Sequence, residues 1–204
     1  MMVTDIVKDK KKNKIFSEDQ FLFSLYYTEI KRYGLEVGEE ISSALIEQIV
    51  QEVILKRGTT YVYHLLSKKD YTSQEVIGKL LKADYNETQA EVILQIVTDQ
   101  GFVDDENYAR RYISQLQGTK SMRQLMYVLK NKGIQDDVLK EVMADLQVDE
   151  YEAAKKAIEK KLKNRSTLTF EEQGKLYAYM MNKGYKGSTV QKVLGEVLLN
   201  LREI

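Results

Sequence analysis

Gln124-Leu125-Met126-Tyr127-Val128-Leu129-Lys130-Asn131-Lys132-Gly133-Ile134 carries apolar residues at helical spacing and ends on a glycine, the residue that most readily closes a helix in the left-handed conformation. The same pattern occurs upstream as Glu75-Val76-Ile77-Gly78-Lys79-Leu80-Leu81-Lys82-Ala83-Asp84-Tyr85. It returns downstream as Lys175-Leu176-Tyr177-Ala178-Tyr179-Met180-Met181-Asn182-Lys183-Gly184-Tyr185. Tyr85, Ile134 and Tyr185 thus mark a repeat of roughly 50 residues. The register persists into the next segment. Ala90, Ile93, Leu94 and Val97 match Leu139, Val142, Met143 and Leu146, then Val190, Val193, Leu194 and Val197, an i, i+3, i+4, i+7 stripe each time.

Each copy opens with a capping box: Thr72 with Glu75, Ser121 with Gln124, Thr169 with Glu172. The hydroxyl accepts from a first-turn amide while the acid or amide reaches back. Gly133 and Gly184 sit where the chain turns, and Asp84 replaces glycine in the first copy. An amphipathic segment precedes each copy: Thr59 to Ser67, after a break at Gly58, then Glu106 to Gln117 and Glu150 to Arg165. Three helices per repeat follow. One such unit buries little by itself, so stacking of neighbours is expected.

The fold class read from this pattern is all-α: three tandem three-helix repeats forming an elongated, curved array, with a small strand-containing N-terminal extension. The boundaries are 1–41 for the extension, 42–100, 101–148 and 149–204 for the repeats. Within the extension, Val3 to Val7 and Phe21 to Leu25 alternate like strands around a lysine-rich turn, which predicts a small β-hairpin or two short strands.

Composition narrows function. The 204 residues include 43% hydrophobic ones, no proline and no cysteine. A chain without proline favours unbroken helices. Without cysteine there is no disulfide, thiolate nucleophile or sulfur-ligated metal. No apolar run approaches the roughly 18 residues that span a bilayer, and Met1 to Lys14 lacks the centre of a signal peptide, so a cytoplasmic protein without membrane partners is expected. His64, the one histidine, has no nucleophile or carboxylate motif beside it. Gly-rich phosphate loops, metal-ligand spacings and nucleophile elbows are missing too. The expectation is a binding protein, not an enzyme, with no catalytic residue, cofactor or metal.

Formal net charge is zero, but the charges are segregated. Asn107 to Gln135 holds six basic residues (Arg110, Arg111, Lys120, Arg123, Lys130, Lys132) and no acid, whereas Asp136 to Glu152 holds seven acids against Lys140. Faces of opposite sign select partners. Arg123, Tyr127 and Lys130 share one helix stripe, where cations flanking an aromatic suit phosphate or carboxylate contacts. With Arg110, Arg111, Lys120 and Lys132 they form the candidate binding patch, and charge reversal at Arg123 and Lys130 is its test. Lys155 to Arg165 is a second basic helix, read as a solvated face with Lys156, Lys160 and Lys163 as a secondary patch. Lys8 to Lys14 reads as a turn. Asp104, Asp105 and Glu106 read as first-turn charges of a helix and not as metal ligands, since no histidine or further acid completes a set. Tyr108, Ala109, Tyr112, Ile113 and Leu116 line the core side of that helix.

Gly101-Phe102-Val103-Asp104-Asp105-Glu106-Asn107-Tyr108-Ala109-Arg110-Arg111-Tyr112 resembles the signature of the RecX family, bacterial regulators of the RecA recombinase: an aromatic, an aliphatic, two Asp, then Tyr-Ala. Asp104, Asp105, Tyr108 and Ala109 are the positions that carry it, as structural residues. Gly118 to Leu125 followed by Leu129 to Ile134 resembles the second-repeat motif of the same family. The likeness spans roughly residues 45 to 200 and is strongest from 75 to 146. It departs at Lys68 and Lys69, where family members commonly carry arginine, and in the third repeat, where mainly the apolar pattern matches. The resemblance implies three tandem three-helix repeats, no catalysis, and binding along the RecA–DNA filament with modulation of ATP hydrolysis and strand exchange. The implied partners are the RecA filament, and single- or double-stranded DNA weakly or through the filament; the free protein is expected to be a monomer. Rival readings are a helix-turn-helix-like DNA-binding module, which zero net charge disfavours, and a helical scaffold for an unrelated protein.

Overall fold

A computed structural model of the chain describes residues 1–146, 149–162 and 167–202. The chain forms two compact units, Met1–Asp104 and Asp105–Ile204. It is mostly helical, with one small N-terminal sheet, and its helices fall into tandem triplets.

In the first unit, β1 (Val3–Asp9), β2 (Lys12–Ser17) and β3 (Gln20–Leu25) form an antiparallel sheet in the order β1-β2-β3. The expected hairpin is therefore a three-stranded meander, and the lysine-rich segment runs from the end of its first strand through the turn into its central strand. The reason lies in the turns. Lys10, Glu18 and Asp19 all adopt positive φ, between 50° and 62°, in connections that usually advertise themselves with Gly or Asn. Ile15, Phe23 and Leu25 point inward and are fully buried. Helix α1 (Tyr27–Tyr33) follows, inside the segment read as extension, and closes on Gly34 at φ 63°.

The carbonyls of β3 are taken up by the first repeat. Leu22 O accepts from Asn86 Nδ2 at 3.1 Å and Gln89 Nε2 at 2.7 Å. Ser24 O accepts from Arg57 Nη2, while Arg57 Nη1 pairs with Glu29 at 3.0 Å. A sheet edge that would otherwise present unpaired carbonyls is thereby closed.

Helices α2 (Ser43–Ile49) and α3 (Lys56–Leu66) are joined without a break by a π-helical segment, Val50–Leu55. The break expected at Gly58 is absent. Gly58 lies buried inside α3, facing Ile93 of α5 (Glu87–Asp99) and Tyr85, which lies between α4 (Ser73–Lys82) and α5; a Cβ there would overlap Ile93 and lie 3.0 Å from Tyr85 Cε1. Its missing side chain permits close approach instead of ending the helix.

The second unit holds α6 (Asp105–Leu116), α7 (Met122–Asn131) and α8 (Asp136–Asp145), then α9 (Tyr151–Leu162), α10 (Phe170–Asn182) and α11 (Gly187–Arg202). The three capping boxes form as read, at Thr72, Ser121 and Thr169. Beyond each middle helix the same bond recurs: Tyr85 N to Leu80 O, Ile134 N to Leu129 O and Tyr185 N to Met180 O, each at 3.2 Å. Asp84, Gly133 and Gly184 supply the left-handed residue, at φ 64°, 83° and 85°. Asp is among the few side chains that tolerate this conformation, and here its carboxylate is held by Lys14 Nζ at 2.9 Å.

The core stripes are buried at Ala90, Ile93 and Val97, at Leu139 and Val142, and at Val190, Val193, Leu194 and Val197. Met143 is the exception, exposed where the pattern places it inside. Ala109 and Ile113 are buried on α6, with Tyr108, Tyr112 and Leu116 packed at their margin.

A basic cleft in the second unit as candidate functional site

The basic residues singled out from sequence separate into two groups. Arg110 on α6 is held by Glu106 at 2.7 Å and Asp145 at 2.6 Å, and those contacts raise its already high pKa, Asp145 foremost. Lys130 at the end of α7 pairs with Asp136 at 2.7 Å, and this partner keeps the Asp136 carboxyl below the usual carboxylate range. Lys132 lies over the Tyr108 ring, 5.3 Å from its centroid. Arg111 is exposed on α6. None of these four lines the cleft described next. The acid-free window from 107 to 135 is thus neutralised in part by carboxylates that flank it in sequence and meet it in space.

Lys120, Arg123 and Tyr127 behave differently. Lys120 joins Lys156, Lys160, Lys161 and Lys183 around a cleft of about 540 Å3, together with Thr119, Gln124, Tyr179 and Tyr185. Lys120, Gln124 and Lys183 also border a second cavity of about 340 Å3, which adds Arg123, Tyr127 and Asn182. The two cavities share a wall, so α7, α9 and α10 surround one basic depression. Among the described residues no carboxylate lines either part.

Local structure explains why these side chains meet. Helix α9 buries Ala153, Ala154, Ile158 and Leu162, which leaves Lys156 and Lys160, one turn apart, on the opposite side. Lys163, the third residue of the secondary patch, lies outside the described residues. On α10, Tyr179 is half-buried and flanked by two ammonium groups, Lys161 at 5.0 Å and Lys183 at 5.6 Å from its ring centroid. The Tyr185 hydroxyl donates to Ala153 O at 3.3 Å, and burial, then the nearby Glu150 carboxylate, pushes that phenol up. Sequence reading counts Lys183 and Tyr179 only as repeat positions. Lys183 could have been found, because it is the third-repeat equivalent of Lys132.

Two contacts fix the walls. Ser121 Oγ, which caps α7, donates to Lys183 O at 2.6 Å. Glu150, 4% exposed, accepts from Met122 N at the start of α7 and from Lys186 N, at 3.3 Å, just before α11. Gly184 completes the seam. A Cβ there would lie 2.7 Å from Arg123 Cβ and 2.8 Å from Arg123 Cδ. Gly184→Ala therefore combines a left-handed φ with a displaced Arg123. A loss of about 1–2 kcal/mol is expected, read as a lower urea midpoint, while an unchanged midpoint would show that the seam adjusts freely.

Among the described residues no group of three His, Cys, Asp or Glu side chains could hold a metal, and no helix is long and apolar enough to cross a membrane. Asp105 and Glu106 lie in the first turn of α6, and Asp104 directly precedes it.

Comparison with known proteins agrees with this architecture. Residues 148–194 match the family model described as the third three-helix domain of RecX. The regulatory protein RecX of Lacticaseibacillus paracasei is 28% identical, covering 96% of this chain and 84% of the relative. That of Caldanaerobacter subterraneus subsp. tengcongensis is 26% identical over 95% of this chain and 98% of its own length. Among solved structures, a crystal structure of regulatory protein RecX superposes with a TM-score of 0.65 at 22% identity, covering 94% of this chain and 98% of that one. RecX from Lactobacillus salivarius superposes with a TM-score of 0.63 at 23% identity, over 71% of this chain and 97% of the other. Repeat register, capping pattern and relatives matched along nearly the whole length converge on one likeness: the chain is similar to regulatory proteins RecX over about 95% of its length, and its residues 148–194 match the third three-helix domain of RecX.

Proposed function

We propose that this chain regulates the RecA recombinase, chiefly as an inhibitor, by binding the RecA–DNA filament and modulating ATP hydrolysis and strand exchange in recombination and repair. It acts in the cytoplasm as a monomer of repeats bounded at 42–100, 101–148 and 149–204, behind an extension over 1–41, and by binding instead of catalysis. The observation that carries the reading is the convergence of Lys120, Arg123, Lys156, Lys160, Lys161 and Lys183 on one depression that, among the described residues, no carboxylate lines. Like charges gathered this way repel one another, so the arrangement is best satisfied by an anionic partner. A filament is a repeating polyanion, along which several modest contacts add through avidity.

The structure refines the choice of variant. Lys130 is engaged by Asp136, so its reversal also breaks an ion pair, whereas Lys120 and Arg123 line the cavity directly. Lys120→Glu with Arg123→Glu is expected to raise the concentration for half-inhibition of RecA–single-stranded-DNA ATP hydrolysis at least tenfold, with helical circular dichroism unchanged. Equal inhibition by a folded double variant would exclude the cleft as the contact.

A further inference from the structure

We infer that the cleft is a single-strand site, in which the lysines track a sugar–phosphate backbone and Tyr127 receives an unstacked base. The inference rests on the filament-regulator reading and names what that surface holds: nucleic acid strand and not an acidic protein segment.

Three features of the cleft support it. First, Lys120, Lys156, Lys160, Lys161 and Lys183 make no ion pair among the described residues. Their ammonium groups are committed to no carboxylate, unlike Arg110 and Lys130 on neighbouring faces. Second, the charges are arranged along a path. Lys156 and Lys160 stand one helical turn apart, about 5–6 Å between Cβ atoms, on one wall. Lys120 and Lys183 face them and continue into the second cavity. A row of point charges suits successive phosphates better than one compact anion.

Third, the path ends at an aromatic. Tyr127 is 67% exposed, an unusual placement for a ring on a helix whose Met122, Leu125 and Leu129 are buried. It stands beside Arg123 and Lys120 at the rim of the second cavity. Rings beside a cationic groove stack on bases, and only a strand with unpaired bases offers their faces. An acidic peptide would use the lysines but would leave Tyr127 without a partner, and a duplex keeps its bases inside.

The test is fluorescence anisotropy with a labelled oligothymidine strand and the full chain, without recombinase. Binding should weaken with salt at a slope near −3 in log–log form, about 0.7 per phosphate contact for four to five lysines. Lys156→Glu with Lys160→Glu should lose at least tenfold in affinity and flatten the slope by about 1.4. Tyr127→Ala should lose about fivefold or more with the slope unchanged, since stacking carries no counterion. Parent-like binding by either variant overturns the assignment, provided helicity is retained. So does competition by a hairpin duplex or by polyglutamate as effective as that of the strand itself. The same variants in the ATP-hydrolysis assay separate the two proposals. Normal inhibition without strand binding sinks the strand site alone, and strand binding without any inhibition by the parent protein sinks the regulator reading alone.

Discussion

Glu150→Ala is expected to lower the stability of the second unit by about 2–4 kcal/mol. The carboxylate is almost fully buried, and its two oxygens accept from backbone amides 28 and 36 residues away, Met122 N and Lys186 N. The residue is also the cap of its own helix, since Ala154 N donates to Glu150 O at 2.8 Å. The N-termini of two helices, α7 and α11, therefore meet at one negative charge. Their partial positive ends stabilise it.

Truncation to alanine leaves two amides without an acceptor, at about 1–3 kcal/mol each. Relief of the carboxylate's own desolvation offsets part of that loss. Glu150→Gln keeps one accepting oxygen and the side-chain volume, so it should cost about half as much. Urea unfolding measures both, and amide exchange should accelerate first at Met122 and Lys186. An alanine variant as stable as the parent, with those two amides still protected, would mean that water or a shifted helix takes over the acceptor role.

Glu150 also shows why the site was only partly legible in sequence. In sequence Glu150 is only the first residue of an amphipathic segment, because the two amides its carboxylate accepts from are far away in the chain. The same holds for the cleft. Lys120, Arg123 and Tyr127 were found through an acid-free window and a helix stripe, both local signals. Arg110 and Lys130 looked equivalent within that window and are not, because Asp145 and Asp136 reach them from α8. Lys156 and Lys160 looked like a solvated face until α7 and α10 placed Lys120 and Lys183 opposite them. Periodicity reports which side of a helix is apolar, and says nothing about which polar sides will face one another.

The fold itself was more legible, for the same reason. Caps, left-handed turns and apolar stripes are short-range features, and their threefold recurrence reappears as three equal turn bonds ending at Tyr85, Ile134 and Tyr185. The misses were places where a residue took an unaccustomed role. Glu18 and Asp19 make a turn that glycine or asparagine usually makes, which hid β2. Met143 occupies a stripe position but faces solvent at the end of its helix.

Gly58 is the sharpest case, and it yields the second large effect. In the middle of a helix glycine costs about 1 kcal/mol relative to alanine, so on propensity alone Gly58→Ala would stabilise the protein. The structure argues the reverse. A Cβ on Gly58 would fall inside the van der Waals envelope of Ile93 Cδ1 and at 3.0 Å from both Ile93 Cγ1 and Tyr85 Cε1. Ile93 is fully buried and Tyr85 is 6% exposed, so neither can swing into solvent. Overpacking of this kind costs about 1–3 kcal/mol, and more as the added group grows. A net loss of about 1–2 kcal/mol is expected for Gly58→Ala, and about 3 kcal/mol or more for Gly58→Val. Ile93→Ala is the internal control, and alone should cost about 2–5 kcal/mol through its cavity. Combined with Gly58→Ala it should cost less than the two losses together, by about 1–2 kcal/mol, because the new methyl enters the space the isoleucine vacates. Urea unfolding of the four proteins in that cycle decides the matter. A Gly58→Ala protein more stable than the parent, or strictly additive losses, would mean that the glycine only weakens an exposed turn of helix and that α3 and α5 do not meet through it.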